Sequence, residues 1–462
     1  MTAVLSFCAL CLLLLAGKFL RMNFSIFQRL YLPSSVIGGG LGLLLLSCFG
    51  EKIPEAWHAG WGELPSFLIN LVFAGLFLGV STPGIRKIWN LAAPQLCYGQ
   101  IVAWGQYLVG IGLTVLVLAP CFGSGPGFGA LIEIGFEGGH GTVAGLTDTF
   151  RELGWEEGKD LGFTVATVGM IGGVVIGMWL INLAVRLGWV KNIRSFSEQS
   201  PEERRGIHPP DAQPSAGKQT VFSDSIDSLA LHIALIGMAV LLGYLIKEGL
   251  SLLNGIAPEG VRKLKILESF PLFPLCMIGG LLLQKFFTWI RADYLIDHGL
   301  MQRLSGTALD FLVLSAITAI RLDFVASYWA PLLILCTAGM AWNIFGVLVL
   351  APRIFKDAWF ERAIAEFGQS SGVTATGLLL LRTVDPESRT VAAEAFGYKQ
   401  LLHEPFMGGG IWTSLALPLL LIHGNMPVFC ICCAVFLFWI LFWKFVLKKG
   451  GEGGGRGTDK AD

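Results

Sequence analysis

Apolar residues run along this chain in blocks of membrane-crossing length, separated by short polar joints. A stretch of about 18 or more apolar residues reads as a transmembrane helix. The pattern predicts eleven spans, near 2–20, 34–50, 65–83, 93–119, 162–187, 226–246, 268–290, 304–325, 329–351, 401–422 and 427–447. Two segments, 127–151 and 358–382, break the pattern, being amphipathic and Gly-rich or polar at their centres. Each reads as a re-entrant hairpin. In the first, helices over 128–136 and 143–150 flank a tip at Gly138 to Thr142. In the second, helices over 358–367 and 375–382 flank a tip at Ser370 to Thr374.

The two halves echo each other. Pro33-Ser34-Ser35-Val36-Ile37-Gly38-Gly39 returns as Pro274-Leu275-Cys276-Met277-Ile278-Gly279-Gly280, and Ala93-Pro94 as Ala330-Pro331. LVLAP at 116–120 recurs at 348–352, an offset of 232. The same offset lays FEGGHGTVAGL (136–146) on GQSSGVTATGL (368–378) and pairs Glu137 with Gln369. Met170-Ile171-Gly172-Gly173 has a weaker echo in Met407-Gly408-Gly409-Gly410. Five spans per half put the second half upside down, the inverted-topology repeat common in secondary transporters. The expected fold is therefore all-α and integral to the membrane, with two inverted five-span repeats and an extra C-terminal span. Residues 1–187 form the first repeat, 188–225 a linker, 226–422 the second repeat, 423–447 the extra span and 448–462 a disordered tail.

Charge orients this layout. With the N-terminus outside and the C-terminus inside, cytoplasmic connections and tail hold 25 of the 33 Lys and Arg, and external ones 8. That is the bias the positive-inside rule demands. No positive region precedes the apolar 3–16, while Lys18 and Arg21 follow it, which reads as a first span rather than a signal peptide. The expected location is the cell's inner (plasma) membrane, crossed many times.

Composition removes other classes. Apolar residues make up 54% and charged ones 14%, against about 25% charged in soluble domains. The net charge of +0 provides no field to recruit nucleic acid. The ten cysteines sit mostly in apolar runs and read as packing residues; Cys430-Ile431-Cys432-Cys433 has no histidine nearby. No nucleophile elbow, HExxH motif or Asp dyad supports an enzyme. His403-Glu404 lacks the second histidine, since Met407 stands there.

The chemistry gathers at the tips. Irregular backbone at membrane depth survives only where protein or a water-filled cavity covers it. Each tip then offers free N–H groups of the following helix to an anion. The preceding helix offers free carbonyls which, with hydroxyls near Thr142, Ser371 and Thr374, suit Na⁺. The candidate substrate and ion ligands are Glu137, Gly138, Gly139, His140, Gly141, Thr142, Gln369, Ser370, Ser371, Gly372, Val373, Thr374 and Thr376, with Arg382 more distant. Alone, GGHGT would read as a surface loop; two related tips at matching repeat positions favour the hairpins. Glu133, Asp148, Glu366 and Asp310 are further ionisable residues in or near the membrane. Arg321 and Asp323 read as an interfacial pair, and His403-Glu404-Pro405 as either an entrance-facing cluster or a site. His232 reads as a packing residue, and Asn70, Asn182 and Asn343 as hydrogen-bonding between helices.

Gly138-Gly139-His140-Gly141-Thr142 resembles the signature of the bacterial sodium/glutamate symporter family, and Gly372-Val373-Thr374-Ala375-Thr376 resembles its second-half counterpart. The segment from Pro33 to Gly39 resembles that family's second span. The resemblance implies a Na⁺-coupled carrier of anionic amino acids, with a re-entrant loop in each inverted half. It also implies a homodimer in which a transport domain slides against a scaffold. The chain departs from the pattern at Glu137, where a small polar residue is commoner, and in its extra span and long linker.

The expected function is Na⁺-coupled symport of glutamate or a related small carboxylate by an elevator mechanism, with Na⁺ as coupling ion, no other cofactor, and lipids and a second copy as partners. A proton-coupled carboxylate carrier, with Glu137 or His140 titrating, and a channel built on opposed half-spanning loops are the alternatives.

Overall fold

The computed structural model describes residues 2–30, 32–80, 85–190, 200–256, 272–385 and 389–447. These residues are helical or irregular, with no strand among them. A helix satisfies its backbone polar groups within one segment, which is what lipid demands. The main helices are α1 (Thr2–Asn23), α2 (Ser34–Phe49), α3 (Leu64–Gly75), α4 (Ile85–Leu113), α5 (Gly139–Gly145), α6 (Thr147–Glu152), α7 (Glu157–Arg186) and α8 (Ser228–Ile256). They continue as α9 (Leu272–Trp289), α10 (His298–Thr318), α11 (Trp329–Phe345), α12 (Trp359–Ser371), α13 (Thr374–Val384), α14 (Ala392–His403), α15 (Ile411–His423) and α16 (Asn425–Phe442).

Eight of the eleven expected spans coincide with helices long and apolar enough to cross a membrane. The other three coincide with the shorter apolar helices α2, α3 and α15. The tenth span departs most from expectation. Instead of one helix over 401–422, α14 ends at His403 and α15 starts at Ile411. Gly408 and Gly409 between them have φ of 64° and 109°, which only glycine adopts without strain. The related Met170-Ile171-Gly172-Gly173 stays inside unbroken α7. Residues 191–199 of the linker, 268–271 of the seventh span and the tail 448–462 lie outside the described residues.

The repeated LVLAP takes repeated structure. A π-turn over Thr114–Leu118 runs into a short helix, Ala119–Phe122. A second π-turn over Gly346–Leu350 runs into Ala351–Ile354.

Two packed groups can be traced. In one, α3 packs on α9 and α10, α2 on α1 and α10, and α8 on α9. In the other, α4 packs on α11, α14 and α16, while α7 packs on α5 and α12, and α12 on α13. They meet mainly where α5 lies on α3 and α10. Gly141 faces Ile69 there, and Gly145 faces Phe273. Phe273 pairs edge-on with Phe73 at 4.8 Å and 76°. Long apolar side chains, among them Leu12, Leu116, Trp179, Leu252 and Phe438, are exposed around the outside, as a lipid-facing surface requires.

Candidate functional site

Both expected breaks exist, and both are narrower than the sequence suggests. The first segment runs through a 3-10 turn (Pro126–Ala130), a π-turn (Glu133–Glu137), α5 and α6. Gly138 N–H still donates to Glu133 O at 3.0 Å, and the chain turns at Gly139, φ 66°. Thr142 is therefore inside a helix. In the second segment only Gly372 and Val373 separate α12 from α13. Unpaired backbone groups are costly away from water, so the helices extend as far as a glycine allows.

The tips touch. A Cβ on Gly139 would lie 2.6 Å from Val373 Cγ1 and 3.1 Å from Gly372 O. Across the contact, Gln369 Nε2 lies 3.5 Å from Glu137 Oε1, so the pair matched by the repeat meets in space. The unexpected third break joins them. Gly408 N–H donates to Glu133 Oε1 at 3.0 Å, and Thr142 Oγ1 donates to Gly408 O at 3.0 Å.

A buried polar network fills the junction. Glu137 Oε1 accepts from His403 Nε2 at 2.9 Å. Gln369 Oε1 accepts from Gln400 Nε2 at 2.9 Å and from Thr374 Oγ1 at 2.7 Å. Glu404 Oε1 lies 2.9 Å from both Thr374 Oγ1 and Gln400 Nε2. Lys399 Nζ, fully buried, donates to Glu366 Oε1 at 2.7 Å and to Gln400 Oε1 at 2.9 Å. Lysine carries donors only, so it holds the Gln400 carboxamide with its NH₂ towards Gln369, Thr374 and Glu404. Gln95 donates to the other Glu366 oxygen at 3.0 Å. Glu133 accepts from Tyr107 OH at 2.6 Å, Thr413 Oγ1 at 2.7 Å and Gly408 N, the donor set of an ionised carboxylate.

A cavity of about 680 Å³ reaches this network. Thr374, Gln400 and Glu404 form its inner wall; His298, Gln302 and Ser305 of α10 lie opposite. Exposed Glu394 and Gly397 also line it, so it opens at the end predicted to be cytoplasmic. Away from the cavity, two ion pairs join the helix groups. Arg151 meets Glu63 at 3.0 Å, both exposed. Arg321 Nε meets Asp160 Oδ2 at 3.0 Å, with Asp160 fully buried. Arg321 thus ties the end of α10 to Asp160 of α7.

The structure divides the expected ligands. Glu137, Gln369 and Thr374 enter the network, and Gly139, Gly372 and Val373 form the tip contact. Ser370 O accepts from Gln106 and Asn343 at 2.6 and 2.7 Å. Ser371 Oγ accepts from Asn343 at 3.0 Å. Gly138 O accepts from Thr142, and Gly141 faces Ile69. Thr376 is buried, close behind Gly372. His140 turns away from the junction: Nε2 lies 2.9 Å from Thr167 Oγ1, and its ring stacks on Phe163. Arg382 is exposed at the far end of α13. His232 is a satisfied packing residue, with Nδ1 2.6 Å from Ser228 O and Nε2 accepting from Asp297 N at 2.8 Å.

The residues that the sequence reading did not single out are Gln95, Gln100, Gln106, Lys399 and Gln400, while His403 and Glu404, read as an entrance-facing cluster or a site, join the network. Gln95, Gln100 and Gln106 are polar positions inside an otherwise apolar span, the signal that marks functional positions in lipid. Lys399 and Gln400 sit just before the expected tenth span, where a cytoplasmic loop seemed sufficient.

A family model described as sodium/glutamate symporter matches residues 1–379 of the 462, both tips included. No curated protein matches the chain.

Proposed function

The chain belongs to the sodium/glutamate symporter family, and from that membership we propose that it carries glutamate or a related small carboxylate into the cell by elevator-type alternating access. Family membership makes it a multi-pass membrane transporter rather than an enzyme, with Na⁺ as the coupling ion.

One observation carries the site: Thr374 of the second broken segment lines the cavity with Gln400 and Glu404, and behind it Gln369 bonds both Thr374 and Glu137 of the first segment. The substrate carboxylate lies at the N-terminus of α13, whose first N–H groups and helix dipole favour an anion. Among the described residues no Lys or Arg lines the cavity, and this helix end does the work of a cation. The substrate ammonium pairs with Glu404. Na⁺ takes carbonyl and hydroxyl oxygens of the tip near Ser371 and Thr374, and Thr142 serves by tying Gly408 to the first tip.

The packing supports the rest. The five-span halves form an inverted repeat, with matched π-turns and Glu137 against Gln369. The group holding the tips is the moving body, and α1, α2, α3, α8, α9 and α10 are the scaffold, part of a homodimer in the plasma membrane. The conformation is inward-facing, with its cavity on one side and the Asp160–Arg321 and Glu63–Arg151 pairs closing the other.

Uptake of labelled glutamate into proteoliposomes, with and without a Na⁺ gradient, tests this reading. Thr374→Val removes the hydroxyl between Gln369 and Glu404 and raises KM about tenfold. Failure to accumulate any anionic amino acid or dicarboxylate would sink the substrate class.

A further inference from the structure

Three oxygens at the junction are buried and bare. Among the described residues, Glu137 Oε2, Gln106 Oε1 and Ser370 Oγ make no hydrogen bond. They come from three elements: the π-turn before the first tip, α4, and the last turn of α12. Their neighbours bring them to one place. Gln106 Nε2 donates to Ser370 O at 2.6 Å, and the Ser370 side chain stands beside the Glu137 carboxylate.

The orientation of Gln106 is fixed. Its NH₂ also donates to Asn343 Oδ1 at 3.0 Å. Asn343 turns its own NH₂ to Ser370 O at 2.7 Å and Ser371 Oγ at 3.0 Å, so Oδ1 is the atom left to face Gln106. Flipping Gln106 would set oxygen against oxygen at both contacts. Its Oε1 therefore remains an acceptor with no donor. The Glu137 oxygen too can only accept. Bare acceptors are costly to bury, and several at one place form a cradle for positive charge.

The fixed cations nearby are already paired. Lys399 bonds Glu366 at 2.7 Å and Gln400 at 2.9 Å, and Arg362 meets Asp357 at 3.3 Å. His403 adds no charge. Trp104 Nε1 can only donate and holds Gln100 Oε1 at 2.8 Å, so the Gln100 NH₂ faces His403 Nδ1 at 3.1 Å. Nδ1 then accepts, the proton sits on Nε2 against Glu137 Oε1 at 2.9 Å, and the imidazole is neutral. The end of α12 contributes the negative pole of its helix dipole. Hard cations take oxygen ligands, and the single carboxylate of the cradle matches a monovalent one.

We propose that Glu137 Oε2, Gln106 Oε1 and Ser370 Oγ hold a second Na⁺, distinct from the one at the tip near Ser371 and Thr374, so that this chain moves more than one Na⁺ with each substrate. The site joins the two halves, since Glu137 precedes the first tip and Ser370 the second. It also reaches the substrate. Glu137 Oε1 lies 3.5 Å from Gln369, which accepts from Thr374 on the cavity wall, so an ion on Oε2 stiffens the wall that substrate meets. A small polar residue is commoner at 137 in the family pattern, so the carboxylate ligand is particular to this chain. The inference rests on the carrier reading above and deepens it.

Equilibrium binding of radiolabelled Na⁺ to the purified full-length chain, in choline buffer at fixed pH without substrate, counts the ions. Glu137→Gln should bind one fewer per chain than the wild type. Ser370→Ala and Gln106→Leu each remove one oxygen and should weaken one class of sites about tenfold. The thermal transition is the second readout. Na⁺ raises it in the wild type by mass action and should raise it less in each variant, with Glu137→Asp restoring part of the shift. In proteoliposomes the Na⁺ dependence of uptake should become less steep in Glu137→Gln. Equal Na⁺ counts in the wild type and Glu137→Gln would overturn the site and leave water or a proton as the occupant of the cradle. Should Glu137→Gln not fold, unchanged Na⁺ affinity in both Ser370→Ala and Gln106→Leu would overturn it equally. Uptake that keeps its full Na⁺ dependence in Glu137→Gln would also overturn it, with the carrier reading left standing. No Na⁺-driven uptake of any anionic substrate by the wild type would instead count against the carrier reading.

Discussion

The contact of Gly145 with Phe273 puts a number on the seam between the two helix groups. In Gly145→Ala the new Cβ lies 2.2, 2.3 and 2.8 Å from Phe273 Cδ1, Cε1 and Cγ. Carbon atoms rest about 3.5–4.0 Å apart, so the ring must withdraw by about 1 Å. It has nowhere to go. Phe273 is 1% exposed, Phe73 stands edge-on at 4.8 Å, and Gly409 closes the remaining side. Overpacking of this kind costs about 1–3 kcal/mol. Replacing a helical glycine by alanine returns about 0.5–1 kcal/mol. The net penalty is about 1–2 kcal/mol, a factor of about 5–30 in an equilibrium constant. Gly145 and Phe273 belong to different groups, so the penalty falls on the contact between the groups, in the arrangement proposed to be inward-facing, and not on the fold of either group. The assay is modification of Ala393→Cys, on the cavity wall, by a membrane-impermeant maleimide from the cavity side, with the labelling of the parent chain subtracted. Gly145→Ala should slow that modification without lowering the thermal transition of the purified protein, and Phe273→Leu should restore it. Unchanged labelling together with a lowered transition would refute the reasoning, because the strain would then lie within one body.

Other outcomes follow from the same geometry. Asp160→Asn weakens the closure opposite the cavity and should slow modification of Ala393→Cys, with Arg321→Gln acting in the same direction. Glu133→Gln sets an NH₂ against donors now aimed at a carboxylate; a loss of about 1–3 kcal/mol should appear in the thermal transition, with Tyr107→Phe costing less. Gly129→Ala puts a Cβ 2.5 Å from the backbone of Gly110 in α4, where neither chain can yield, and should abolish folded protein in size-exclusion profiles. Asn343→Ala frees Ser370 O from one of its two donors and should raise the KM for substrate with little change in the thermal transition.

Much of this architecture was legible in the chain because lipid makes a simple demand, a long apolar run per crossing. The π-turns at LVLAP show that repeated residues can also repeat their local geometry. The pairing of Glu137 with Gln369, found by offset, reappears as proximity in space. Side-chain direction was not legible. His140 and His403 are both polar residues beside glycine-rich stretches, yet helix phase turns one towards Thr167 and the other onto Glu137. Nor could pattern distinguish the two Met-Gly stretches. Gly172 and Gly173 are held in a continuous helix, with Met340 and Ser371 packed close against them, whereas Gly408 is drawn out of helical conformation by Glu133 and Thr142. The bond of Arg321 to Asp160 was not legible either, because long-range partners leave no trace in spacing.

The two bonds at Gly408 have a mechanical consequence. Its N–H and its C=O are gripped by residues on the two sides of the first break, Glu133 before it and Thr142 after it. A loop held in that way is a rivet rather than a hinge. In the proposed elevator cycle the three interrupted segments travel as one stiff cradle, its shape unchanged from one face of the membrane to the other. Compliance is then confined to the smooth, glycine-faced seam over Ile69, Phe73 and Phe273. Speed of transport and choice of cargo are thereby written in separate residues, and either can drift without disturbing the other.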